Sequence, residues 1–225
     1  MEFVGVEALT RGGAPTNVPM VAHKITAEES KGGSGVVLIP ANGFYNKVII
    51  MLHGLADTPD PWVNNMPQLG LENCKFILPQ ARSRPVMIYG QKVVNAWSDL
   101  FGMNPSVPED KIGIEESSDR ITRLIHAEID IGINPNRIAI IGFSQGGAIA
   151  LHVSLRLPFA IGGCVALNSW LPLRQEYPAM LSHASRGMRS VKRTNRREIT
   201  SPPFHSPFYH SHRRLTILLP TLSPQ

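Results

Sequence analysis

Five consecutive residues, Gly142-Phe143-Ser144-Gln145-Gly146, form the pattern Gly-x-Ser-x-Gly. That spacing suits nucleophilic attack by a serine hydroxyl on an acyl carbonyl. A serine so placed stands at the tip of a strained strand-to-helix turn. The residues two before and two after it must lack a Cβ so that helix and neighbouring strand can approach. The turn also aims the backbone N–H of the next residue, Gln145, from a helix N-terminus at the point where a tetrahedral oxyanion would form. A second donor is needed, and in this arrangement it comes from the loop after an early strand. Leu52-His53-Gly54-Leu55 ends a strand-like run, which makes the Leu55 N–H the expected second donor.

A serine hydroxyl needs a base and the base needs an orienting acid. His53 precedes the serine, whereas the chain order in hydrolases with this turn is serine, acid, histidine, so His53 is read as shaping its loop. His126 and His152 fall inside helical segments and are read as ordinary helix residues. After Ser144 come His183, His205, His210 and His212, with Glu176 and Glu198 as acids and no aspartate after Asp130. A base must be held within about 2.6–3.2 Å of the serine oxygen by a rigid scaffold. A segment rich in Pro and Arg supplies none, so the general base and acid stay unassigned.

The elements that must position Ser144 follow from periodicity. Val36–Ile39 and Lys47–Leu52 read as two strands joined by a turn at Asn42-Gly43, Trp62–Leu69 as a short helix, and Cys74–Leu78 as a buried strand stopped by Pro79. Residues 80–110 are irregular and too long for a passive loop. Ile121, Leu124, Ile125 and Ile129 put an apolar stripe on a helix over 114–131. Arg137–Ile141 is a buried strand, 147–157 a helix ended by Pro158, and Ile161–Leu167 another strand. Alternating strands and helices imply an α/β fold, a mainly parallel sheet covered on both faces.

The 225 residues, 43% of them hydrophobic, suit one globular domain. No run reaches the ~18 apolar residues of a membrane span. Met1–Thr10 lacks the basic start and apolar core of a secretory leader, so a cytoplasmic location is expected. Cys74 and Cys164 sit in apolar runs and read as buried free thiols. The net charge of +5 is unevenly placed: residues 1–180 hold 14 basic against 16 acidic residues, and residues 181–225 hold 8 against one. The domain itself therefore has no nucleic-acid signature.

The chain resembles the acyl-protein thioesterase family, also called the lysophospholipase or small carboxylesterase family, over about residues 46–178. LHGLADT at 52–58 is similar to its oxyanion loop. PQARSRPV at 79–86 and NAWSDL at 95–100 are similar to its proline-rich loop and tryptophan segment. The run from 113 to 151 that contains GFSQG, and ALNSWLPL at 166–173, match as well. The resemblance implies an α/β-hydrolase fold and no cofactor. It implies Ser144 as nucleophile, with Leu55 and Gln145 as oxyanion donors. Substrates would be palmitoylated proteins or lipid esters, and the segment from Arg84, Pro85 and Val86 to Trp97 would line the acyl site, although Trp97 could equally be core.

The chain departs from the family after about Leu181. The family's G-D-x-D-P-type loop with its aspartate, and the later histidine loop, are not recognisable, as an alternative exon, a retained intron or a shifted frame would produce. The expected organisation is a poorly ordered or peripheral segment over 1–35, an incomplete α/β-hydrolase domain over 36–180, and a basic tail over 181–225. The tail reads as a disordered solvated segment, as a contact for an anionic membrane or nucleic acid, or as a packed replacement of the lost strands, for which Leu215–Leu219 is the sole strand-like run. Without replacement, the 161–167 strand would be an uncovered edge. An alternative function is an inactive isoform that binds acyl groups or proteins, and the oligomeric state is left open.

Overall fold

The computed structural model describes residues 19–25, 34–104, 106–185, 188–194 and 214–220. In chain order the strands are β1 (Met20–Ile25), β2 (Gly35–Pro40), β3 (Lys47–Leu52), β4 (Cys74–Pro79), β5 (Ser83–Val86), β6 (Lys92–Asn95), β7 (Ile138–Phe143), β8 (Gly163–Leu167), β9 (Met188–Thr194) and β10 (Arg214–Pro220). The helices are α1 (Asp60–Val63), α2 (Lys111–Asp130) and α3 (Gln145–Arg156). No helix among the described residues is long and apolar enough to cross a membrane.

One eight-stranded sheet runs β1-β2-β4-β3-β7-β8-β10-β9. Its centre, β4-β3-β7-β8, is parallel, and antiparallel pairs flank it on both sides. This is the expected α/β-hydrolase architecture with a different rim. Strand residues serve both faces in alternation: Val48, Ile50 and Leu52 of β3 join the core under α2 and α3, while Ile49 and Met51 join the core on the opposite face with Met66 and Phe76.

Helix α2 begins where the Asp110 carboxylate accepts from the Gly113 N–H at 2.9 Å, an N-cap that satisfies an otherwise orphan donor. Ile114, Ile121 and Ile125 point into the core. Helix α3 is buried at every position from Gln145 to Ser154, as an all-round apolar helix at the centre of a domain must be. The expected helix at 62–69 is instead one α turn and a separate 3₁₀ turn at Pro67–Leu69.

Three expectations are corrected. The hairpin between β2 and β3 does not form, because β4 lies between them; Gly35 packs against β4 so closely that a Cβ there would sit 2.7 Å from the Leu78 carbonyl oxygen. The segment 1–35 contains an ordered edge strand, β1, paired with β2 from Met20↔Pro40 to Ile25↔Gly35; residues 1–18 and 26–33 lie outside the described residues. The edge of β8 is not open. β10 pairs with it antiparallel from Leu215↔Leu167 to Leu218↔Cys164, Ile217 and Leu218 are buried, and β9 pairs outside β10. The tail thus contributes two strands instead of a wholly unstructured segment; residues 195–213 and 221–225 lie outside the described residues. The sequence of β9, MRSVKRT, carries three basic residues, a composition that discourages further strand pairing.

Truncation after residue 213 removes β10 and bares the β8 edge. Size-exclusion chromatography of that variant should show aggregates in place of the intact chain's peak. An unchanged elution profile would show that β10 does not protect the sheet.

Candidate active site

Ser144 stands between β7 and α3 with φ 52° and ψ −118°, a strained conformation for a residue with a Cβ. Neighbouring backbone holds it there: the Ser144 N–H donates to the Leu167 carbonyl at 2.9 Å, and Ser169 Oγ donates to the Ser144 carbonyl at 2.8 Å. The two glycines are sterically required. A Cβ on Gly142 would lie 2.4 Å from the Gly146 carbonyl oxygen, and one on Gly146 would lie 2.4 Å from the carbonyl oxygens of both Leu52 and His53.

The loop after β3 meets the serine. A Cβ on Gly54 would come 3.6 Å from Ser144 Cβ, so Leu55, the next residue, adjoins the elbow. Among the described residues neither the Leu55 N–H nor the Gln145 N–H donates to another protein group. For Gln145 this is the ordinary state of a first helical residue. Both donors assigned from the sequence are unspent.

His53 is structural, and its surroundings fix its tautomer. Nε2 accepts from the Ala81 N–H at 2.9 Å, so it carries no proton. Nδ1 lies 2.7 Å from the Gly54 carbonyl oxygen and must donate to it. Burial, above all, holds its pKa below the ordinary 6.5, against the raising pull of the Gly54 carbonyl and Asp57. A ring engaged at both nitrogens is no base for Ser144.

Trp97 was open to two readings, and the structure places it in the core at 1% exposure. Its Nε1–H donates to the His53 carbonyl at 2.8 Å, its N–H donates to Gln145 Oε1 at 2.9 Å, and its ring lies 5.2 Å from the His53 ring. In this position it offers no surface to an acyl chain. Gln145 Nε2 also donates to the Ser98 carbonyl at 2.8 Å. The Gln145 side chain was not singled out from the sequence; a carboxamide at the start of an otherwise apolar buried helix was the signal available.

The other residues assigned to the acyl site divide between the faces of the β5–β6 hairpin. Arg84 points inward, 3.5 Å from Asp110 and 3.7 Å from Glu116. Val86 is fully buried, and Pro85 is exposed. Val93, opposite Pro85 in the pairing, and Met87, in the 3₁₀ turn after β5, are exposed apolar residues.

No side chain among the described residues hydrogen-bonds to Ser144 Oγ. Exposed His183 makes no such contact, and Glu176 is paired with Lys111 at 2.7 Å. His205, His210, His212 and Glu198 lie outside the described residues. His126 packs edge-on against Phe159. His152 is fully buried on α3, its Nε2 accepting from Arg156 Nη1 at 2.5 Å and its Nδ1–H donating to the Tyr177 hydroxyl at 3.0 Å. Burial and the Arg156 charge lower its pKa despite Glu115. Both cysteines are buried free thiols pushed up to about 12 by desolvation, which leaves them inert.

A nucleophile elbow at the end of a central parallel strand, faced by an early-strand loop, defines an α/β-hydrolase. The chain belongs to the phospholipase/carboxylesterase family, whose model matches residues 36–192. It is 33% identical over 143 residues to acyl-protein thioesterase 1 homolog 2 of Dictyostelium discoideum, covering 62% of this chain and 64% of that protein. It is 36% identical over 143 residues to acyl-protein thioesterase 1 of Cryptococcus neoformans, covering 61% and 60%. The chain thus spans about three fifths of the length of these relatives. Among solved structures, Arabidopsis thaliana SOBER1 superposes with a TM-score of 0.54 at 28% identity, covering 61% of this chain and 68% of that one. Zea mays acyl-protein thioesterase 2 gives 0.55 at 28%, covering 62% and 63%.

Two buried neutral imidazoles make stability pH-dependent with a definite sign. Their folded pKa values lie below the ordinary 6.5, so the unfolded chain takes up protons first. The stability they contribute is complete above 6.5 and is lost as pH falls below it. Urea unfolding across that range should show falling stability, with a shallower slope in His152→Phe. Stability that is flat or rises as pH falls through 6.5 would contradict the neutral assignment.

Proposed function

We propose that this chain is a serine hydrolase of the acyl-protein thioesterase type, built to bind and attack long-chain acyl thioesters but slow in turnover. Ser144 Oγ would attack the acyl carbonyl carbon and the Leu55 and Gln145 N–H groups would receive the oxyanion. The thiolate would leave, and water would release the acid from the acyl-serine. The observation that carries this reading is the strained Ser144 at φ 52° with Gly54 packed beside it. Palmitoylated proteins are the proposed substrates, with lysophospholipid or carboxylic esters as further ones, in the cytoplasm. The basic tail would add a weak, salt-sensitive contact to anionic membrane surfaces.

Slow turnover follows from the bonding at the serine. Among the described residues no histidine or carboxylate engages Ser144 Oγ. A triad enzyme that loses one member keeps only the residual ~10³–10⁴-fold acceleration over water from its oxyanion hole and binding. The same observation supports a second reading, a catalytically inactive isoform that keeps an acyl- or protein-binding surface.

A fluorophosphonate probe separates the two. It should label the chain slowly at Ser144 and not label Ser144→Ala, while acyl-thioester hydrolysis runs orders of magnitude below an intact relative and rises when residues 181–225 are replaced by a relative's C-terminus. Labelling and turnover at an intact relative's rate would overturn the proposed impairment. No labelling at all would favour the binding module.

A further inference from the structure

The loop that carries the Leu55 N–H is a tight turn with a strained residue in it. The Asp57 N–H donates to the Gly54 carbonyl at 3.3 Å and closes the turn over Leu55 and Ala56. Ala56 has φ 60°, whereas Leu55 has no positive φ. This is the type II arrangement, whose third residue is by preference Gly or Asn, because a Cβ is strained there. Alanine has neither the freedom of glycine nor a polar side chain that bonds locally. Left to itself, the turn would relieve Ala56 by rotating the central Leu55–Ala56 peptide into the type I form. A partner outside the turn must therefore hold it.

Asn95, the last residue of β6, grips Ala56 on both sides. Its carbonyl accepts the Ala56 N–H at 2.9 Å, and its Nδ2 donates to the Asp57 carbonyl at 3.1 Å. The amide is oriented by Ser83, its partner across the β5–β6 ladder, whose Oγ donates to Asn95 Oδ1 at 2.9 Å. Turned over, the amide would set its oxygen against the Asp57 carbonyl. The Ala56 contact exists only while the Leu55–Ala56 peptide keeps its type II orientation, because rotating that peptide carries the Ala56 N–H away. It also spends that N–H, so of the two successive donors in the turn only the Leu55 N–H is left for a ligand among the described residues. The next residues, Ala96 and Trp97, are buried and anchor Asn95 to the core.

We propose that Asn95 is a positioning residue for the oxyanion site: its two contacts hold Ala56 in the left-handed conformation and thereby set the Leu55 N–H beside Ser144. The proposal rests on the reading of Ser144 as nucleophile and Leu55 as donor. Asn95 touches neither substrate nor the reacting atoms and acts through the backbone of the turn. An oxyanion donor that is displaced costs rate in the transition state, not ground-state binding.

The test pairs Asn95→Ala with Ala56→Gly, since glycine takes φ 60° without strain and needs no clamp. Fluorophosphonate labelling of Ser144 in the full chain should slow about tenfold in Asn95→Ala, and by less than about twofold when the same change is made in the Ala56→Gly background. The turn itself is read by NMR. The Overhauser effect between Leu55 Hα and the Ala56 N–H is strong in a type II turn and weak in type I, so it should fall in Asn95→Ala and persist in the double variant. If Asn95→Ala does not fold, Asn95→Asp, which keeps the acceptor for Ser83 and loses the donor to Asp57, carries the same comparison. Unchanged labelling, equal slowing in both backgrounds, or an unchanged Overhauser effect in the Asn95 variant overturns the proposal. If the intact chain takes no label, the reading of Ser144 as nucleophile fails instead, and the Overhauser effect alone decides whether Asn95 holds the turn.

Discussion

The contact between the start of α3 and the end of β3 is the constraint on which the site depends. With no side chain at Gly146, the carbonyl oxygens of Leu52 and His53 approach to where its Cβ would be. That approach forces the turn at Ser144 into its strained conformation and sets the helix N-terminus against the loop that carries Leu55. The Leu55 N–H on that loop and the Gln145 N–H at the helix start donate to no other protein group among the described residues. Overpacking a core ordinarily costs about 1–3 kcal/mol, and here the atoms met are backbone, which cannot turn aside.

Around that contact the polar groups are satisfied in a closed series. Gln145 receives the Trp97 N–H, Trp97 donates to the His53 carbonyl, and His53 receives Ala81 while holding Gly54. A satisfied buried network fixes one arrangement of its members, so the Trp97 segment, the early loop and the elbow are held in one relative placement. Beyond β8 the arrangement changes. A strand there that ran parallel would deliver its C-terminal end to the edge of the sheet that bears Ser144; β10 runs antiparallel and brings its start there, with Arg214 paired to Thr194 and Leu215 to Leu167.

The elbow was legible because its chemistry is local: five residues fix the turn, and strand and helix on either side confirm it. Helix α2 was legible by its stripe, and β7 and β8 by their apolar runs. Strand order was not. Val36–Ile39 and Lys47–Leu52 looked like a hairpin, since pairing by proximity is the default, and insertion of β4 between them is decided by packing across the sheet. β9 was missed because a basic, mixed segment carries no alternation, and it pairs through backbone bonds that any sequence can make. The role of Trp97 could not be read either: a buried indole and a substrate platform have the same sequence, and only its bonds to His53 and Gln145 distinguish them.

The central claim of the proposed function is that Ser144 attacks without a general base, as no histidine or carboxylate engages its hydroxyl among the described residues. The dependence on pH of Ser144 acylation by a p-nitrophenyl ester, with Ser144→Ala subtracted, tests it most directly. Without a base, the rate should climb in proportion to hydroxide through neutral pH with no plateau. A sigmoid that levels off above an inflection near the ordinary histidine value of about 6.5 would mean that a histidine of this chain deprotonates Ser144, and the account would be wrong.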